Sequence, residues 1–226
     1  MRKILLLMAP FLLSGSAQVK EESIQEKLDR AQKHPVIEEL FTSVSGFGIP
    51  QEEKDLITQK GGIPTYGEIL PSSLQTILND LHIKEGQTFY DLGSGVGKSV
   101  VQAFLEYPFS KAVGIELSPT RFKQAEVVAQ KLKNRTLEFR NEDFVMSDIS
   151  DADVIYMAST CYPDELMNTL LDRFVTLKDG TIIISLRSLP HRALSLGFKL
   201  INKYSLPMTW IERNSVYVYK LNKPAQ

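Results

Sequence analysis

The chain is poor in the residues that build disulfide and metal frameworks. A single cysteine, Cys161, excludes an intramolecular disulfide and a cysteine-rich zinc site. The three histidines, His34, His82 and His191, are scattered without ligand spacing, so no structural metal is expected. An excess of either charge is also missing, with 26 Lys+Arg against 27 Asp+Glu. A chain so balanced does not hold nucleic acid by bulk charge, and direct nucleic-acid binding is not expected. Lys111, Lys131, Lys133 and Arg135 form only a modest basic cluster, which reads as a solvated helix end. The longest apolar run, Ile4 to Leu13, is broken by Pro10 and falls short of the ~20 residues that a bilayer span needs. Internal repeats and low-complexity tracts are absent. What remains is 43% hydrophobic and 23% charged over 226 residues, a composition that folds rather than stays disordered. The length suits one α/β domain with a decorated N-terminus, expected as a monomer.

The chain divides into three stretches. Residues 1–17 have a basic start at Arg2 and Lys3, a short apolar core, and the small residues Ser14, Gly15, Ser16 and Ala17. This is the form of a secretory signal peptide or anchor, with a cut expected after Ala17. Residues 18–64 form a helical and loop-rich extension. Val36, Ile37, Leu40 and Phe41 make a helical apolar stripe there, and Gly46, Gly48, Pro50, Gly61, Gly62 and Pro64 predict a loop over 46–71. From residue 65 to 226 a single domain is expected. Pro71 suits a first helical position, followed by Leu74, Ile77, Leu78 and Leu81 at helical spacing.

Strand and helix then alternate. Phe89–Leu92, Val113–Glu116, Leu137–Phe139, Val154–Met157 and Ile182–Ile184 read as buried strands. Helices intervene: one carries Val100, Val101, Phe104 and Leu105, one is capped by Ser118 and opened by Pro119, and one is opened by Pro163. The alternation predicts an α/β fold with a mainly parallel sheet covered on both faces. Two further strand-like runs, at Leu200-Ile201 and Val216–Tyr219, predict an antiparallel pair that closes the sheet.

The most informative stretch is the glycine loop Asp91-Leu92-Gly93-Ser94-Gly95-Val96-Gly97-Lys98-Ser99. Its end, Gly97-Lys98-Ser99, imitates a triphosphate-binding loop, but that pattern needs glycine where Leu92 stands. A dinucleotide fingerprint needs its third glycine where Lys98 stands. Asp91 is badly placed for both, since a carboxylate repels phosphate. S-adenosylmethionine (SAM) suits the loop better, because its ammonium and sulfonium are positive. Glu116 ends the next strand, where a carboxylate can accept from both ribose hydroxyls. Asp143 and Phe144 follow the third strand, where they can meet an adenine amine and its ring. Three carboxylates at successive strand ends are the signal.

These residues carry a family resemblance over 65–221. The chain resembles the class I methyltransferase domain of the disruptor-of-telomeric-silencing family, the non-SET histone-lysine methyltransferases. The specific part is Thr65-Tyr66-Gly67-Glu68 upstream of the glycine loop, joined by Gly114-Ile115-Glu116, Glu142-Asp143-Phe144, Pro163-Asp164-Glu165 with Arg173-Phe174, and the late Trp210 and Tyr217. The resemblance implies a Rossmann-like seven-stranded sheet and SAM-dependent methylation of a protein lysine. It implies that Tyr66, Gly67 and Glu68 cover the amino acid end of SAM. Asp91, Gly93, Ser94, Gly95, Gly97 and Lys98 would line its methionyl side, Glu116 its ribose, and Asp143 and Phe144 its adenine.

Two departures stand out. Where the family has asparagines after the fourth strand, this chain has Ala158 and Ser159. The family's basic nucleosome-binding extension has no counterpart. Tyr66, Tyr162 and Trp210 are candidates for the wall of a lysine channel, and Ser159 and Thr160 for orienting a nucleophile. Cys161 reads as a small buried apolar residue near the site. Methylation of a small molecule or another protein group, and SAM binding without turnover, stay open. The leader points to export or a host compartment, whereas the need for SAM points to the cytosol.

Overall fold

The computed structural model describes residues 34–134 and 136–223. The leader over 1–17, the first part of the charged segment and Arg135 lie outside the described residues. Seven strands follow the alternating pattern: β1 (Thr88–Leu92), β2 (Lys111–Ile115), β3 (Leu137–Arg140), β4 (Val154–Met157), β5 (Ile182–Ser185), β6 (Phe198–Met208) and β7 (Ile211–Leu221). They form one sheet in the order β3-β2-β1-β4-β5-β7-β6. The pairs from β3 through β5 are parallel, and β7 runs antiparallel to both β5 and β6. The chain order reverses direction beside β1, so a crevice opens at the carboxyl ends of β1 and β4.

The described residues hold six α-helices: α1 (His34–Leu40), α2 (Gln51–Gln59), α3 (Pro71–Asp80), α4 (Lys98–Glu106), α5 (Pro119–Leu132) and α6 (Asp164–Phe174). Successive strand residues point to opposite faces. Phe89 and Val154 therefore pack with Leu74, Ile77, Val100 and Val101 on one face. Tyr90 and Ile155 pack with Leu166, Leu170, Leu171 and Phe174 on the other. With both faces buried, the central strands carry apolar residues at nearly every position. The expected caps are present: Pro71 opens α3, and the Ser118 hydroxyl accepts from Arg121 N at 3.2 Å.

Two elements differ from the sequence reading. The loop expected over 46–71 contains α2. Its glycines and prolines sit at the flanks, while Gln51–Gln59 is free of both and carries Glu52 and Glu53 in its first turn, where carboxylates favour a helix N-terminus. The closing strands are also longer than two short runs, because β6 and β7, 11 residues each, form a hairpin. Much of β6 is solvent-exposed whether its residues are polar or, like Leu200 and Ile201, apolar, so hydrophobic patterning is silent over most of its length.

Candidate active site

A cavity of about 310 Å³ lies at the carboxyl ends of β1 to β4. Its walls come from the glycine loop, from the segments that end β2, β3 and β4, from residues 57–69 and from Trp210 in the β6–β7 turn. This volume is in the range of small-ligand sites.

Asp91 sits at the end of β1, buried, on the cavity wall. One carboxylate oxygen accepts from the Ser99 hydroxyl. The other, Oδ1, is buried with no hydrogen-bond partner. Burial, with the charge of Glu116 adding to it against the Ser99 bond, pushes the carboxyl up to about 7. The Ser94 hydroxyl is a second buried atom on this wall without a partner. Unpaired buried polar atoms cost free energy unless a ligand satisfies them.

Glu116, just past β2, is buried and also lines the cavity. Its carboxylate accepts from the backbone N–H groups of Gly95 and Ser118, both at 2.8 Å. Burial raises its pKa, and the two backbone bonds and Arg121 oppose that rise. Two of its roughly four acceptor positions are filled, which leaves capacity for ligand hydroxyls.

Tyr66 stands where four distant segments meet. Its hydroxyl donates to Glu68 Oε1 at 2.6 Å, and Glu68 Oε2 takes Lys98 Nζ at 2.7 Å. Burial and the Glu68 carboxylate raise the phenol's pKa, so it stays protonated. The Arg121 guanidinium lies 4.8 Å from the ring centroid. Gly46 and Gly95 press against the same ring. A Cβ at Gly46 would come within 2.0 Å of it, and one at Gly95 within 2.6 Å. Gly95 also has φ +57, which side chains other than glycine rarely adopt. The loop Tyr66-Gly67-Glu68 is thus fixed against the glycine loop, with Trp210 packed on Gly67.

On the β3 side, Asp143 accepts from Val145 N at 3.0 Å and faces Lys60 at 3.7 Å. Phe144 stacks on Tyr162, with ring centroids 5.8 Å apart. Arg173, on α6, donates to the Phe144 carbonyl at 2.9 Å and holds this loop in place.

Several residues singled out in the sequence sit elsewhere than expected. Gly97 does not line the cavity; it caps α4, and Phe139 fills the space where its Cβ would be. Ser159 is fully buried behind the wall, its hydroxyl bonded to the Ser185 hydroxyl at 2.7 Å and accepting from Leu186 N at 3.1 Å. Its proton is spent on Ser185 and it does not reach the cavity lining, so it is not placed to orient a nucleophile. Tyr162 lines the cavity, but its hydroxyl donates to the Leu92 carbonyl at 2.9 Å and its ring lies with Phe144, not with Trp210 and Ala158. Cys161 is exposed at the cavity rim instead of buried, because the single 3₁₀ turn Ser159–Cys161 places Ser159 inside and Cys161 outside. Tyr217 is on β7 outside the lining, beside Lys203.

Three contributors escape the sequence reading. Arg121 is buried in the first turn of α5, donating to the carbonyls of Gly46 at 2.9 Å and Pro64 at 3.0 Å. A cation there opposes the helix dipole, which is itself a sign of another partner. Glu53 of α2 accepts from Thr120 Oγ1 at 2.6 Å and from the Ser118 hydroxyl. Tyr156 lines the cavity from β4. A tyrosine inside the apolar strand Val-Ile-Tyr-Met is the available signal, since its hydroxyl needs a partner.

Residues 50–208 match the family model described as histone methylation protein DOT1. A histone-lysine N-methyltransferase, H3 lysine-79 specific, from Aspergillus fumigatus is 26% identical over 210 residues, covering 81% of this chain and 42% of the relative. The chain spans less than half the length of this and other curated relatives it matches. Among solved structures, an RNA methyltransferase from Salinibacter ruber in complex with S-adenosyl-L-homocysteine aligns with a TM-score of 0.53 at 22% identity, over 68% of this chain and 92% of that one. A ribosomal protein L11 methylase from Lactobacillus delbrueckii subsp. bulgaricus aligns with a TM-score of 0.54 at 15% identity, over 68% and 79%. One acts on RNA and the other on a protein, so these likenesses carry the fold and leave the methyl acceptor to the site.

Proposed function

Because the chain belongs to the DOT1 histone methylation family, we propose that it is a SAM-dependent protein-lysine N-methyltransferase. The observation that carries the cofactor assignment is Asp91 Oδ1, a buried carboxylate oxygen without a partner on the cavity wall. An ammonium is the group that satisfies it, and SAM has one at its amino acid end. The remaining walls fit the same ligand: Ser94 offers an unpaired hydroxyl, Glu116 has acceptor positions left for a ribose, and Asp143 with Phe144 suits an adenine. When bound, SAM supplies an electrophilic methyl group on a sulfonium.

The chain's own residues supply position and dryness. Tyr66, Glu68 and Lys98 form a hydrogen-bonded wall above the glycine loop. Ile69, Ala158 and Trp210 give the side beyond Asp91 an apolar surface. An amine entering there loses hydration, which favours its neutral, nucleophilic form. The leaving group is already good, so orientation and exclusion of water account for most of the catalysis this site needs.

Tritiated SAM incubated with recombinant histone H3, assembled nucleosomes and a set of unrelated basic proteins tests the assignment. Label on a lysine, mapped by mass spectrometry, is expected. SAM binding with no label on any protein favours the second reading, a SAM-binding protein or a methyltransferase for other acceptors. That reading draws on Ala158 and Ser159 standing where the family has asparagines. The site of action is tied to the leader-like residues 1–17, and mass spectrometry of the natural N-terminus reports whether they are removed. Among the described residues no helix is long and apolar enough to cross a membrane.

A further inference from the structure

The carboxylates on the cavity follow the sheet in order. Asp143 comes after β3, Glu116 after β2, and Asp91 ends β1. The ammonium end of SAM is thereby assigned to β1, and the next strand along the crevice is β4. The methyl acceptor must approach from that side. The groups expected to meet it there do not. Ala158 has no polar atom, Ser159 is turned into the interior, and the Tyr162 hydroxyl is committed to Leu92.

Thr160 reaches the cavity lining from an exposed position past β4, and one buried hydroxyl of β4 itself remains without a role. Tyr156 pairs in register with Asp91 across the β1–β4 ladder, is 2% exposed, and lines the cavity. Its hydroxyl is buried and has no hydrogen-bond partner. It does not bond to the neighbouring Asp91 Oδ1, which is equally unpaired, so neither atom has a partner among the described residues. Leaving a phenol hydroxyl dry and unpaired costs free energy, and a ligand atom that meets it recovers that cost.

We propose that the Tyr156 hydroxyl is the hydrogen-bond partner of the methyl-accepting atom. The inference rests on the SAM reading of the site. Its oxygen accepts from an amine N–H, which leaves the nitrogen lone pair free to point toward the β1 side. Burial, reinforced by Asp91 and Tyr162, holds the phenol protonated, so Tyr156 positions the amine and does not act as a base.

Calorimetry with two SAM analogues separates this role from cofactor binding without needing the natural acceptor. S-adenosylhomocysteine has nothing beyond its sulfur. Sinefungin carries an amine where SAM carries its methyl, and so reaches toward the acceptor side. Tyr156→Phe keeps the ring and removes only the hydroxyl. The expected result is unchanged affinity for S-adenosylhomocysteine and an affinity for sinefungin weakened on the order of tenfold. Equal losses for both ligands would place Tyr156 on the cofactor side and overturn the proposal, as would no loss for sinefungin. A wild-type protein that binds neither analogue would instead sink the SAM reading, and the proposal with it. Retained S-adenosylhomocysteine binding by the variant shows that it is folded.

Discussion

Replacing Asp91 by asparagine should make the ligand-free protein more stable and lose most or all of that advantage once ligand is bound. The carboxyl is buried beside Glu116 with Ser99 as its sole hydrogen-bond partner, and its pKa is pushed from 3.8 up to about 7. A displacement of that size opposes the ionised form by on the order of 4 kcal/mol. The sign follows from proton binding. Below pH 3.8 the group is protonated in the folded and unfolded chains alike, and costs nothing. Between 3.8 and about 7 the unfolded chain releases its proton while the folded chain keeps it, so stability falls as pH rises. Above about 7 the loss is complete. Asp91→Asn removes the charge but leaves one polar atom unpaired, which costs ~1–3 kcal/mol. The net gain at about pH 8 is therefore roughly 2 kcal/mol, or about 4–8 °C in melting temperature for a chain of this size. Saturating S-adenosylhomocysteine cancels most or all of this advantage, because the wild-type carboxylate gains an ammonium partner worth ~1.5–3 kcal/mol. Thermal melts at about pH 5 and about pH 8, with and without the ligand, read both effects. A variant that melts at or below the wild type at the higher pH without ligand, or that binds S-adenosylhomocysteine as tightly, would refute the reasoning.

Three further changes probe the walls. Gly95→Ala forces a side chain onto φ +57 and into the Tyr66 ring, and should lower stability by about 2 kcal/mol or more while weakening S-adenosylhomocysteine binding; thermal melts and calorimetry measure both. Glu53→Ala removes the acceptor for Thr120 and Ser118 at the start of α5, at a cost of about 1–2 kcal/mol, with faster proteolysis of residues 46–64. Although burial pulls the Glu53 carboxyl upward, the bonds from Ser118 and Thr120 outweigh it and hold its pKa below 4.5. Its stabilisation is therefore present above pH 4.5 and lost as pH falls through the lowered value, which acid melts of the wild type and variant should show. Cys161 should react with a thiol reagent in the native protein, and S-adenosylhomocysteine should slow the reaction; labelling only after denaturation would contradict its exposure.

The strand-end carboxylates were legible because a parallel sheet fixes where strand ends go. Asp91, Glu116 and Asp143 reach one cavity for that reason, with no information about side-chain contacts required. The helix at Gln51–Gln59 was hidden because the glycines and prolines around it were counted over a window wider than the helix. Ser159 and Cys161 exchange their expected places, since a 3₁₀ turn has no apolar periodicity to say which residue faces inward. Arg121 and Glu53 were invisible for a different reason. Their partners, Gly46, Pro64, Ser118 and Thr120, are distant in sequence, and backbone carbonyls and hydroxyls leave no compositional trace.

The Tyr66 ring ties the cofactor wall to a segment that the sequence suggested was an appendage. Gly46, Gly95 and Arg121 close on that ring from separate parts of the chain, and Arg121 reaches the carbonyls on both sides of α2. A catalytic fragment trimmed to begin at Thr65 would keep every strand of the sheet. It would lose the carbonyls that hold Arg121 and one flank of the ring that borders the ligand. For anyone expressing or grafting this domain, the smallest useful unit starts ahead of Gly46.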